Sequence, residues 1–73
     1  MKKYTVTEVI YTLGKITEES KTFDSLSNSK YDFNKRIEMY KGCFNKQIIA
    51  GDLCTFYNDA KCFVIISLTE CNS

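Results

Sequence analysis

Cys43, Cys54, Cys62 and Cys71 offer the most reactive chemistry in this sequence, as thiolate nucleophiles, metal ligands or disulfide partners. They are separated by 10, 7 and 8 residues. No two form the closely spaced pair that structural zinc sites use, and the chain has no histidine to complete such a set. Neither a metal site nor a cofactor is expected. A disulfide framework suits an oxidising compartment. Met1-Lys2-Lys3, however, leads straight into Tyr4-Thr5-Val6-Thr7-Glu8, with no apolar leader. The cysteines are therefore expected as free thiols packed as small apolar residues, with Cys71 exposed.

Other catalytic parts are missing. Without histidine there is no Cys-His pair and no Ser-His-Asp triad. Glu18-Glu19 are adjacent carboxylates, but they fall in a polar stretch and read as a solvated edge. Gly14, Gly42 and Gly51 are isolated, so no glycine-rich loop cradles a phosphate. At 73 residues the chain also has little room for a deep pocket. An enzyme is not expected.

Five cations, Lys30, Lys35, Arg36, Lys41 and Lys46, interleave with Tyr31, Asn34, Tyr40 and Asn45. Such a pattern could hold phosphates and stack bases, with Lys30, Lys35, Arg36 and Lys41 as the contacts. Asp32 and Glu38 interrupt it. Ten basic against nine acidic residues give a net charge of only +1, where nucleic-acid binders carry a marked excess. Nucleic-acid binding is the second expectation, below protein binding.

The elements that position these residues follow from periodicity. Residues 4–13 are β-branched and aromatic, suited to a strand. Gly14-Lys15 suits a two-residue turn with Leu13 opposite Ile16, Val6 opposite Phe23, Thr7 opposite Thr22 and Glu8 opposite Lys21. The returning strand, 16–23, is polar and charged, as an edge strand should be. Residues 24–29 are crowded with helix N-cap candidates. Phe33, Ile37, Tyr40, Phe44 and Ile48 then recur at helical spacing. A helix is expected from Ser29 to about Phe44, with Asp32 near its start and paired to Arg36 on the outer surface. Residues 53–57 and 61–68 form a second hairpin about Asn58-Asp59-Ala60, with Phe56 opposite Cys62 and Tyr57 opposite Lys61. The expected fold is α+β: a single domain over 1–73, β-β-α-β-β, with a four-stranded, mostly antiparallel sheet and one helix packed on one face.

The last strand is apolar on both faces: Cys62, Val64, Ile66 and Leu68 point one way, Phe63 and Ile65 the other. Alternation is the rule where one face of an antiparallel strand meets water, so both faces of this strand need cover. One helix covers one face, and no second helix is expected. Leu53, Tyr57, Phe63 and Ile65 should share the uncovered face, and contiguous apolar patches tend to mark interaction sites. Loops, the curl of the sheet or long Tyr and Lys side chains are the competing cover.

Hydrophobic residues at 44% exclude disorder. No apolar run reaches the roughly 20 residues of a membrane span. The expectation is a cytoplasmic, non-enzymatic interaction domain, an adaptor or inhibitor that binds a protein partner or a second copy of itself. A purely structural homodimer subunit is the third expectation. In its shortness and its Lys, Asn, Ile and Tyr content the chain resembles small accessory proteins of phages and mobile elements, a likeness of composition rather than of motif.

Overall fold

The computed structural model describes residues 2–59 and 62–72. In chain order the elements are β1 (Lys2–Thr12), β2 (Lys15–Phe23), α1 (Leu26–Tyr40), β3 (Lys46–Ala50), β4 (Leu53–Asp59) and β5 (Cys62–Asn72). The strands form one antiparallel sheet in the order β2-β1-β5-β4-β3. The α+β class with a single helix matches the expectation. The sheet has five strands rather than four, and the order is β-β-α-β-β-β.

The additional strand is β3. Ile48 continues the helical spacing of Phe33, Ile37, Tyr40 and Phe44, which hid it. The helix instead stops at Tyr40, with Lys41 as its C-cap and Gly42 just beyond. Residues 46–50 then pair with β4 across a two-residue turn, Gly51-Asp52, that sets Ala50 opposite Leu53. Gly51 takes φ +60, as a turn with glycine in its first central position requires.

The helix also starts earlier than Ser29. Ser25 is the N-cap, and its Oγ accepts from the Asn28 N–H at 3.4 Å. Ser29 is fully buried in the first turn, its hydroxyl donating to the Leu26 carbonyl at 2.7 Å. Asp32 therefore stands mid-helix, and no acidic residue occupies the first turn.

Both hairpin registers differ from expectation by two residues. The first turn is Leu13-Gly14 rather than Gly14-Lys15, with φ +51 and +81. Two positive φ values are the signature of the tight turn whose twist matches its strands. Tyr11 consequently faces Ile16, Glu8 faces Glu19, Thr7 faces Ser20, Val6 faces Lys21 and Tyr4 faces Phe23. This register aligns the hydroxyls of Thr5 with Thr22 and Thr7 with Ser20, each pair 3.2 Å apart. In the second hairpin Phe56 faces Val64 and Tyr57 faces Phe63. Lys61, expected opposite Tyr57, lies outside the described residues, as does Ala60 of the expected turn. Because side chains alternate with a period of two, a two-residue slip leaves every residue on its expected face.

Leu13 is 87% exposed and makes no core contact, yet it holds a left-handed conformation that costs an L-residue about 1–2 kcal/mol. Leu13→Asn creates the Asn-Gly pair that this turn favours. We expect it to raise stability by about 1 kcal/mol, read as a higher urea midpoint at unchanged slope.

One face of the sheet carries Val6 of β1, Cys54 and Phe56 of β4, and Val64, Ile66 and Leu68 of β5, all packed under Phe33 and Ile37 of α1. Tyr4, Ile10, Phe23, Tyr40 and Phe44 close the rim of this core. β5, last in the chain, lies at the middle of the sheet. That position explains its apolar content on the helix side.

Candidate interaction surface

Opposite α1 the strands present a second set of side chains in register. One row across the sheet reads Ile16 (β2), Tyr11 (β1), Phe63 (β5), Tyr57 (β4), Lys46 (β3). The next reads Glu18, Val9, Ile65, Thr55, Ile48, and the third Ser20, Thr7, Ser67, Leu53, Ala50. The face is thus divided. Its Tyr11–Phe63 end is apolar and aromatic, and the opposite end carries Thr5, Thr22 and Thr69. Among the described residues, no helix or strand of the chain packs on this face.

All four residues expected on the uncovered face are there. Tyr57 neighbours Phe63 directly, Ile65 lies one row on, and Leu53 one row further. Tyr57, Phe63 and Ile65 are half-buried and Leu53 is 47% exposed. The half-burial comes from neighbours on the face itself. Tyr11 and Phe63 stack with ring centroids 5.0 Å apart and planes 16° from parallel. The Lys46 ammonium lies 5.8 Å from the Tyr57 ring centre, within cation–π range. Self-covering of this kind is partial: Ile16 and Ile48, on the two outer strands, remain 67% and 56% exposed.

Sequence reasoning missed Val9, Tyr11, Ile16 and Ile48 as members of this surface. Val9 and Tyr11 alternate with the core residues Val6 and Ile10, so their face was legible. Their adjacency to β5 was not, because it depends on a pairing between distant parts of the chain.

The helix cations do not gather. Lys30 and Lys35 are exposed and stand about 140° apart around the axis. Lys41, the C-cap, lies 3.9 Å from the Glu38 carboxylate. Lys30 lines a shallow groove with Asp52 and Glu70, an acidic setting for a phosphate contact. Lys46 belongs to β3 and the open face, not to the helix.

Arg36 departs furthest from expectation. It pairs with Asp32 at 2.7 Å as foreseen, but it faces the sheet rather than solvent, with its side chain only 12% exposed. It also donates to Glu19 at 3.0 Å and to Glu8 at 3.2 Å. Tyr40 donates its hydroxyl to the other Glu8 oxygen at 2.9 Å. The Asp32 hydrogen bond, with those to Glu19 and Glu8, holds the guanidinium pKa above its ordinary value despite desolvation. Burial first, and then the Glu8 carboxylate, push the Tyr40 hydroxyl up to about 12. Glu8 and Glu19 are directly opposed on β1 and β2, an arrangement that repels unless a cation lies between. Arg36 is that cation. Glu18, its neighbour's alternate, points to the open face and is exposed.

Of the cysteines, only Cys54 is buried, and burial pushes its thiol pKa up. Cys62 is half-buried. Cys71 is exposed as expected, but so is Cys43, which was expected to be packed as a small apolar residue. Among the described residues no three His, Cys, Asp or Glu side chains are placed to hold a metal ion, and no helix is long and apolar enough to cross a membrane.

No protein-family model matches this chain, and neither the curated proteins nor the solved structures gave a significant match.

Proposed function

We propose that this chain is a small non-enzymatic interaction domain, an adaptor or inhibitor, that docks a protein surface through the sheet face opposite α1. The observation that carries this reading is the cluster of Tyr11, Phe63, Tyr57 and Ile65 on a face that, among the described residues, no helix or strand covers, flanked by the more exposed Ile16, Ile48 and Leu53. Burying each large side chain of this kind contributes roughly 1.5–3 kcal/mol, so the drive to cover the patch is large. Aromatic residues are also what binding surfaces concentrate, and here they form one end of the face. Glu18 and Lys46 supply charged rim positions on opposite outer strands. The helix supports a nucleic-acid reading less well, because the Arg36 guanidinium is enclosed by three carboxylates and the lysines face different directions.

The test is affinity capture from native lysate, with and without nuclease, comparing the unaltered chain with Phe63→Glu, Ile48→Asp and the control Lys35→Glu. Ile48→Asp alters a position more than half exposed, so loss of binding there is not a folding defect. The expected result is a nuclease-resistant protein partner, retained by Lys35→Glu and weakened at least about tenfold by both face variants. A partner held equally by all four chains would remove this face from consideration. Retention that disappears with nuclease would transfer the function to nucleic acid.

A further inference from the structure

We propose that β3 is a pairing edge for a second copy of this chain, the two β3 strands meeting antiparallel about a two-fold axis through Ile48 to make one continuous sheet. This edge is separate from the aromatic cluster of the open face; only Lys46 and Ile48 belong to both.

The two edges of the sheet are unlike. β2 carries four charged side chains among nine residues, Lys15, Glu18, Glu19 and Lys21, the usual protection of an exposed edge. β3 carries one among five, Lys46, and every one of its residues is exposed. Ile48 and Ile49 are 56% and 54% exposed, one on each face of the strand. α1 packs chiefly over β1, β2 and β5 and leaves β3 clear. An apolar edge with its only charge at one end is a template for another strand.

The direction of the main-chain groups follows from one hydrogen bond. The Leu68 N–H donates to the Asp52 carbonyl at 2.9 Å. Successive residues of an antiparallel strand bond alternately to the neighbour on one side and on the other. Asp52 bonds toward β5, so Leu53 bonds toward β3, where its partner is Ala50. By the same alternation Ile48 and Lys46 bond to β4. Gln47 and Ile49 direct their N–H and C=O groups away from the sheet, where no described strand meets them. Asn45, next in that series, already donates its N–H to Asn58 Oδ1 at 2.7 Å. The open ladder is therefore Gln47 and Ile49, placed symmetrically about Ile48.

That symmetry is what a second copy fits. Two β3 strands centred on Ile48 set Gln47 of each opposite Ile49 of the other, and all the outward groups of both residues are paired. Ile48 meets its own counterpart at the close, non-hydrogen-bonded position on the open face. On the other face the two Ile49 side chains are diagonal neighbours. Lys46 falls opposite Ala50, so the two ammonium groups stay apart. The β2 edge of another copy is a poorer match, because its charged side chains would lie beside these isoleucines, and its Glu19 is already held by Arg36. Pairing thus closes at two copies, as an isologous contact does. Small chains commonly gain stability in this way.

The experiment is sedimentation equilibrium of the intact chain up to about 1 mM, because so short an edge makes a weak dimer. The species expected is twice the mass of the chain. Ile49→Pro deletes an outward N–H and leaves the β3–β4 ladder intact, a place where an edge strand tolerates proline. It should weaken association at least about tenfold with unchanged circular dichroism. Ile48→Lys and Ile48→Glu each set like charges opposite one another and should each weaken it as much, whereas an equal mixture of the two should associate at least about fivefold more tightly than either alone. Phe63→Glu, two strands away, should leave the dimer unchanged. A single-chain mass throughout would overturn the edge pairing, as would a dimer indifferent to Ile49→Pro or a mixture no tighter than its components. A dimer lost in Phe63→Glu and kept in Ile49→Pro would overturn it too, by placing the contact on the open face. Phe63-dependent capture of a different protein by a monomer would overturn the pairing while leaving the proposed function standing.

Discussion

Replacing Arg36 with methionine should destabilise this chain by about 3–5 kcal/mol, the cost of leaving a buried carboxylate without its cation. The cause is Glu8. Its side chain is 11% exposed, and it lies on the core side of β1 between Val6 and Ile10. With Arg36 gone, Glu8 keeps the Tyr40 hydroxyl but faces Glu19 across the strand pair, with Asp32 one helical turn from the vacated site. A domain of this size rarely holds more than about 3–5 kcal/mol in total, so the variant should be largely unfolded in plain buffer. A stabilising osmolyte or the Leu13→Asn background would bring it into measurable range. Adding Glu8→Gln to Arg36→Met should recover about 2 kcal/mol, because the amide still accepts from Tyr40 and no longer repels Glu19. Glu19→Gln alone should cost under about 1 kcal/mol, since that side chain is 64% exposed. The measurement is the urea midpoint at neutral pH. Arg36→Met within about 1 kcal/mol of the unaltered chain would mean that the cluster is incidental to stability.

The second large effect is expected at Phe56. This ring is 1% exposed and has Tyr40 and Phe44 at 6.2 and 6.1 Å. Phe56→Ala removes the transfer term and leaves a cavity, together worth about 3–5 kcal/mol. The position has a particular consequence. α1 packs over β1, β2 and β5, while the β3–β4 hairpin meets the helical layer chiefly through Phe56 and the ring of Phe44 in the segment after the helix. The loss should therefore be uneven. Amide hydrogen exchange in Phe56→Ala should accelerate first in β3 and β4, with β1 and β5 still protected. Uniform acceleration across all five strands would show that the hairpin and the rest open as one unit.

Faces were the most legible property of this sequence, and strand order the least. Alternation is written locally, so Leu53, Tyr57, Phe63 and Ile65 could be assigned to one face although both hairpin registers were displaced by two. Strand order depends on which distant segments meet. The pairing of β1 with β5, from Lys2–Asn72 to Thr12–Cys62, leaves no local mark. β3 was masked by coincidence, because Ile48 satisfies the helical period and the five residues 46–50 are too few to show alternation of their own. The Gly51-Asp52 turn was the clue, of the same kind as the glycine turn recognised after β1. Arg36 could have been placed by asking about Glu8. A carboxylate at a core position of β1 demands a cation from another element, and Arg36 lies at the margin of the Phe33–Ile37 stripe. Its pairing with Asp32, visible at four-residue spacing, drew attention to the helix surface instead.

The pairing of the first and last strands also decides where this molecule can be held. Lys2 sits across from Asn72 at one extremity of the sheet, whereas Tyr11 and Phe63 lie nine residues along, about 30 Å away. A fluorophore or immobilisation tether attached beside either extremity would stand clear of the aromatic row. Grips placed on both would peel the β1–β5 ladder rung by rung instead of shearing it, so the molecule should yield to a gentle pull from there while resisting one applied along the strands.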